Sequence, residues 1–246
     1  MLCTFPAPFM TRYMDGSPML SESKIVLTGA SGLIGFAIAE HLLKSGAQLV
    51  AAGRDRQKLK ALTSNSALDH ALHVWSGDLA SEEVCRQLID FSVTAMGGID
   101  VLINNAGTFN FCTLESVDHR KLAEILCINN VQVPAYLTRL ALPYFKATSN
   151  AVVLNISSIA GLASLPGGAC YAASKWAIQG FSHSIREELR EMPVHVCTIA
   201  PYQVEVLRPQ PESGVRTISP ETMANAVALV LEYAGTSSAS VDLVLH

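Results

Sequence analysis

Tyr171-Ala-Ala-Ser-Lys175 sets a phenol and an ammonium four residues apart, and Ser158 stands thirteen residues upstream of the tyrosine. A free tyrosine titrates near pH 10, so it is a poor acid or base at neutral pH unless a nearby cation stabilises its phenolate. Residues four apart on a helix share a face, which lets Lys175 supply that charge. A serine hydroxyl can donate a hydrogen bond to an oxygen on which negative charge develops. Tyr171 then delivers or removes a proton at that oxygen. Taken singly, these residues carry little weight: Tyr171 and Lys175 could be an amphipathic surface pair, and Ser158 a loop serine capping its own turn.

The elements that must position them alternate from Lys24 onward, short β-branched or aliphatic runs followed by longer helix-period segments, as in repeated βαβ units. Strands are expected at Lys24 to Thr28, Gln48 to Ala52, Leu72 to Ser76, Val101 to Asn104, Val152 to Ser157, Val194 to Ala200 and Val241 to Leu245. Helices are expected at about Leu33 to Ser45, Arg56 to Thr63, Glu82 to Met96, His119 to Phe145, Tyr171 to Glu191 and Pro220 to Tyr233, with Ser81 as an N-cap and Gly46 as a left-handed stop. This is an α/β pattern: a doubly wound, mostly parallel, seven-stranded sheet flanked by helices, Rossmann-like, in a single catalytic domain over 23–246. Residues 1–22 hold methionines at 1, 10, 14 and 19 and three prolines, and are expected to be a disordered extension, with Met19 as an alternative start. Met1 to Met10 lacks the basic start and apolar run of a signal peptide.

The first strand runs through Gly29, Gly32 and Gly35 straight into a helix, the context in which glycines let the backbone approach a pyrophosphate at a helix N-terminus. At the end of the second strand, an acidic side chain would hold the ribose of NAD, and a basic one would meet the 2′-phosphate of NADP. Here the chain reads Gly53-Arg54-Asp55. Arg54 points to NADP(H) as the preferred cofactor, with NAD(H) open through Asp55. Asp78, in Gly77-Asp78-Leu79, either lies near an adenine amino group or caps the next helix.

Thr28-Gly29 and its glycines, Asn104-Asn105-Ala106-Gly107, Ser158 and Tyr171-x-x-x-Lys175, in this order at strand ends, together resemble the short-chain dehydrogenase/reductase family, small single-domain branch. The resemblance covers about Lys24 to the C-terminus. It implies hydride transfer between NADP(H) and a carbonyl or alcohol carbon, with catalytic residues Asn130, Ser158, Tyr171 and Lys175. It gives Lys175 a second role on the nicotinamide ribose, and Asn130 that of holding a water for proton relay, with Asn129 as the alternative. The cofactor-binding set it implies is Gly29, Ser31, Gly32, Leu33, Ile34, Gly35, Arg54, Asp78, Leu79, Asn105, Ala106, Gly107, Tyr171, Lys175, Pro201 and Val204.

Two departures from the family's pattern stand out. The glycines are spaced Gly-x-x-Gly-x-x-Gly, as in larger, extended members, although the chain ends soon after the seventh strand. After the sixth strand, Pro201-Tyr-Gln-Val-Glu-Val206 replaces the family's Pro-Gly-x-x-x-Thr, so Val206 offers no hydroxyl to the nicotinamide carboxamide. The competing reading is a nucleotide-binding regulatory or scaffold protein of the same fold with little turnover.

Composition narrows the partners. Half of the residues are hydrophobic, 15% are charged and the formal net charge is −4, with no Lys/Arg run, so nucleic acid is not an expected partner. No apolar stretch approaches the ~20 residues that span a bilayer. The six cysteines show no C-x-x-C pair and the seven histidines no ligand spacing, so reduced thiols in a cytoplasmic protein and no metal are expected. The expected substrate is a small carbonyl or alcohol compound, with Phe109, Phe111, Leu162 and Leu165 flanking an apolar pocket or else packing as plain core. The family resemblance, together with the long helices His119 to Phe145 and Tyr171 to Glu191, implies a homodimer or homotetramer.

Overall fold

A computed structural model describes residues 20–62, 70–109, 112–204, 217–237 and 239–245, without the side chains of 127–129 and 237. Seven strands form one parallel sheet: β1 (Lys24–Thr28), β2 (Gln48–Gly53), β3 (Leu72–Ser76), β4 (Val101–Asn104), β5 (Ala151–Ile156), β6 (Val194–Pro201) and β7 (Asp242–Leu245), in the order β3-β2-β1-β4-β5-β6-β7. Each strand falls within a residue or so of its expected place. Buried parallel strands are apolar on both faces, and that continuous signal is strong in this sequence.

Alternate residues divide the core into two layers. Ile25, Leu27, Leu49, Ala51, Ile103 and Leu154 pack on one face under α1 (Leu33–Lys44) and α7 (Pro220–Ser237). Val26, Val50, Leu102, Val153 and Val196 pack on the other under α3 (Glu82–Met96) and α5 (Val133–Phe145), with α6 (Ala169–Glu188) beside them. The short α2 (Arg56–Ala61) follows β2. Ser81 caps α3 by accepting from the Val84 N–H, and Gly46 closes the turn after α1 at φ +87°, both as expected.

Two differences have physical causes. The helix expected over His119 to Phe145 is instead α4 (His119–Ala123), a π-helical stretch Glu124–Gln132, and α5. Pro134 has no N–H to give the Asn130 carbonyl, so the α-helical bond is impossible there and the helix widens. Of the residues 1–22 expected to form an extension, those described belong to the domain: Leu20 is 2% exposed in the core, and the Glu22 N–H bonds the Gly46 carbonyl at 2.9 Å. Residues 1–19, Phe111 and Val206 lie outside the described residues. No helix among those described is long and apolar enough to cross a membrane.

Candidate active site

Parallel strands in a doubly wound sheet end together, and the loops beyond β1, β2, β3 and β4 enclose a cleft of about 490 Å³. The strand order reverses between β1 and β4, where such sheets open a crevice. Thirteen of the residues singled out from the sequence line it, from Gly29, Ser31 and Gly32 to Asn105, Ala106, Gly107 and Val204. Tyr171, Lys175 and Pro201 are not in the lining. Gly53, Asp55 and Gly77, noted in the sequence beside Arg54 and Asp78, also line it, as do Lys58 and Thr108, which were missed; Lys58, four residues beyond Arg54, had a readable signal in its charge and position.

The glycine loop is shaped by its neighbours. Gly29 adopts φ +69°, and a Cβ at Gly35 would collide with the Gly29 carbonyl oxygen. A Cβ at Gly32 would lie 3.3 Å from that oxygen, a milder crowding. Moving the middle glycine is therefore the least disruptive change the motif could tolerate, and Leu33 takes the next position, exposed at the mouth. Thr28 is the hub: its hydroxyl accepts from the Asn105 and Ala106 N–H groups at 3.1 and 2.9 Å and donates to the Ile103 carbonyl at 3.3 Å. The Asn105 amide donates to the Thr28 and Gly29 carbonyls at 3.0 and 3.3 Å, clamping the loop from below. Gly32, the N-cap of α1, offers no side-chain acceptor, so the first-turn N–H groups are left to other partners.

At the β2 end, Asp55 spends its carboxylate on capping α2, accepting from the Gln57 and Lys58 N–H groups at 3.0 and 3.1 Å. Arg54 and Asp78 are exposed in the lining. Asp78 does not cap α3, a role that Ser81 fills. A Cβ on Gly53 would lie 2.6 Å from Ser31 Oγ, so any side chain there must displace that serine.

Beyond β5 the catalytic candidates meet. Ser158 Oγ accepts from the Ala160 N–H at 3.2 Å, capping its own short turn, and its hydroxyl stands beside the Tyr171 phenol. With Oγ already accepting from the backbone, its single proton is the one left to give an oxygen in front of it. Burial raises the Tyr171 pKa above its usual value, and the Ser158 hydroxyl opposes this. Burial pushes the Lys175 ammonium down to about 8. Its Nζ donates to the Ile156 carbonyl at 2.9 Å and stands 5.6 Å from the Tyr171 ring centroid. A Cβ on Gly107 would lie 3.9 Å from it, so the lysine borders the Asn105–Thr108 loop.

Asn130 is buried and its side chain is engaged with the protein. Its Oδ1 accepts from the Thr108 N–H at 2.9 Å, and its amide donates to the Thr108 carbonyl at 3.1 Å and to Ser174 Oγ at 2.9 Å. Ser174 in turn donates to the Tyr171 carbonyl at 2.7 Å. Both amide hydrogens are thus spent on the protein, and the side chain ties the β4 loop to the first turns of α6. The side chain of the alternative, Asn129, lies outside the described residues.

The family model described as short chain dehydrogenase matches residues 23–211. The chain belongs to that family. This short-chain dehydrogenase is 28% identical over 215 residues to an uncharacterized oxidoreductase of Staphylococcus aureus strain MW2, covering 87% of this chain and 92% of the relative. It is likewise 28% identical over 230 residues to an uncharacterized oxidoreductase of Listeria monocytogenes, with 87% and 92% covered. A crystal structure of Cj0485 dehydrogenase shares the fold, with a TM-score of 0.79, 24% identity, and 92% and 93% of the two chains covered. The chain is therefore an oxidoreductase of a family that uses NAD(P)(H) on small molecules.

Proposed function

We propose that this short-chain dehydrogenase interconverts a carbonyl group and its alcohol with NADP(H), using Tyr171 as general acid in reduction and general base in oxidation. The observation that carries the reading is the meeting of Tyr171, Ser158 and a buried Lys175 beside the glycine-lined cleft. The residues fit a dinucleotide. The Gly29–Gly35 loop and the first turn of α1 would hold its pyrophosphate, Asp78 and Leu79 its adenine, and Lys175 its nicotinamide ribose, with Pro201 and Val204 at the nicotinamide end. When bound, the cofactor supplies or accepts the hydride. Ser158 donates a hydrogen bond to the substrate oxygen as charge builds there, and Tyr171 gives that oxygen its proton, so one hydride and one proton complete the alcohol. The Lys175 charge lowers the cost of the phenolate left behind.

Preference for NADP(H) is supported by Arg54 and Lys58 in the lining, by the absence of a side chain at Gly53, and by Asp55 being engaged with α2. The homodimer or homotetramer implied by the resemblance and by α6 stands on those alone; light scattering that reports a monomer at micromolar concentration would remove it. Free thiols at Cys85, Cys112, Cys170 and Cys197 support a reducing, cytoplasmic setting, and recovery of the protein in an oxidised extracellular form would contradict it.

The test is a panel of ketones and secondary alcohols with NADPH or NADP+, followed by nicotinamide absorbance, with cofactor affinity measured separately by fluorescence. Turnover of at least one member is expected. Tight cofactor binding with no turnover across the panel would favour a nucleotide-binding protein that does no chemistry.

A further inference from the structure

The Phe109 ring meets the Tyr171 ring edge-on, with centroids 4.9 Å apart and planes at 86°, yet Phe109 remains 64% exposed. The loop that carries it is fixed by the Asn130 bonds to Thr108, so the ring is held beside the proton-transferring group by the scaffold. It has company. Four of the seven large hydrophobic side chains that are exposed among the described residues, Phe109, Leu114, Leu162 and Tyr202, lie on loops beyond the carboxyl ends of strands; Leu33, Phe91 and Trp176 lie on helices. Phe109, Leu162 and Tyr202 follow β4, β5 and β6, which are neighbours in the sheet.

Exposed apolar side chains scattered singly need no explanation, but one held against the reacting tyrosine, with others on the loops beyond the neighbouring strands, marks something to be covered. The segment Ser157 to Gly168 contains no charged residue, and the charged members of the cleft lining, Arg54, Asp55, Lys58 and Asp78, all follow β2 or β3. A substrate lying against Phe109, Leu162 and Tyr202 therefore meets apolar surface, with its polar contacts gathered at Ser158 and Tyr171.

We propose that the substrate is an uncharged ketone or secondary alcohol bearing an aromatic ring next to the reacting carbon, and that Phe109 selects it. This rests on the carbonyl–alcohol reading above and adds the substrate class. Ring faces and edges attract through their opposed quadrupole charges, so Phe109, already edge-on to Tyr171, prefers a flat ring in front of it to a flexible chain of equal size.

The test measures binding of acetophenone and of 2-octanone, two ketones of equal carbon count, to the NADP+ complex, in which no reduction can occur. For the wild type, acetophenone should bind roughly tenfold more tightly than 2-octanone; Phe109→Ala should remove most of that difference, and Phe109→Tyr should restore it. NADP+ affinity and melting temperature should stay at wild-type values in both variants, because Phe109 is exposed and outside the cleft lining. Equal affinity for the two ketones, or an equal loss of both in Phe109→Ala, overturns the proposal. The two readings fail separately. If acetophenone binds as described but neither it nor any other ketone is reduced with NADPH, the redox reading falls and the aromatic site stands. If ketones are reduced with no aromatic preference in binding, the aromatic site falls and the redox reading stands.

Discussion

Replacing Asn130 with alanine removes three hydrogen bonds at once, to the Thr108 N–H, the Thr108 carbonyl and Ser174 Oγ, from a residue only 2% exposed. A buried polar group that loses its partner costs about 1–3 kcal/mol. Thr108 is half-buried and water can reach it, whereas Ser174 is fully buried and keeps its own bond to the Tyr171 carbonyl. The expected loss is therefore about 2–3 kcal/mol, or roughly 5–10 °C in melting temperature for a domain of this size. The change in activity should exceed the change in stability. Asn130 is what ties the β4 loop to the first turns of α6, which carry Tyr171, and an ångström of misplacement at a reacting group can cost on the order of a hundredfold in rate. Differential scanning fluorimetry, NADPH titration and kcat on the same preparation separate these effects. Expected are a lowered melting temperature, kcat down by roughly a hundredfold and a cofactor affinity weakened by less than about tenfold. A large loss of kcat with an unchanged melting temperature would mean that Asn130 serves the reaction directly and that its bonds to Thr108 and Ser174 are incidental.

Lys175 should set the alkaline limb of ketone reduction. Its charged form is the useful one, and burial brings its pKa to about 8, so kcat/KM should fall as pH rises through that value. Tyr171, whose pKa burial raises, keeps its proton across that window and does not produce the fall; a profile flat or rising through pH 8 would contradict this. For stability the sign is reversed: between the folded value of about 8 and the higher unfolded one, the unfolded chain binds the extra proton, so the Lys175 contribution grows with pH there. Arg54→Ala should weaken NADPH binding roughly tenfold, about 1.4 kcal/mol, and leave NADH within twofold, measured as the two dissociation constants. Unchanged selectivity would make Arg54 a solvated loop residue. Gly53→Asp is the poorer probe of the same question, because Ser31 Oγ already occupies the space its Cβ would need.

The central strands were legible because a doubly covered parallel sheet demands unbroken apolar runs such as Val101–Asn104, while the edge strand Leu72–Ser76, with His73 inside it and only Leu72 buried, was legible from its alternation and flanks. Gly29 and Gly35 were legible for a related reason: backbone geometry admits few other residues there. The break in the helix expected over His119 to Phe145 had a visible cue in Pro134, but a proline alone does not distinguish a kink from a π stretch. The bonds of Asn130 to Thr108 and Ser174 join residues 22 and 44 positions apart, which no local pattern encodes. The same holds for Thr28 beneath Asn105 and for Ser31 over Gly53, since both contacts cross between neighbouring strands. Phe109 could be flagged as apolar near the motif, but its edge-on contact with Tyr171 depends on where two distant loops converge.

Tyr171 as the proton-transferring group is tested most directly by Tyr171→Phe, which removes one oxygen and keeps the ring that Phe109 packs against. Turnover of any ketone that the wild type reduces should fall by at least roughly a hundredfold, the low end of what a positioned acid contributes, while the NADPH dissociation constant and the melting temperature stay at wild-type values. A Tyr171→Phe variant that retained the wild-type kcat would contradict the assignment outright.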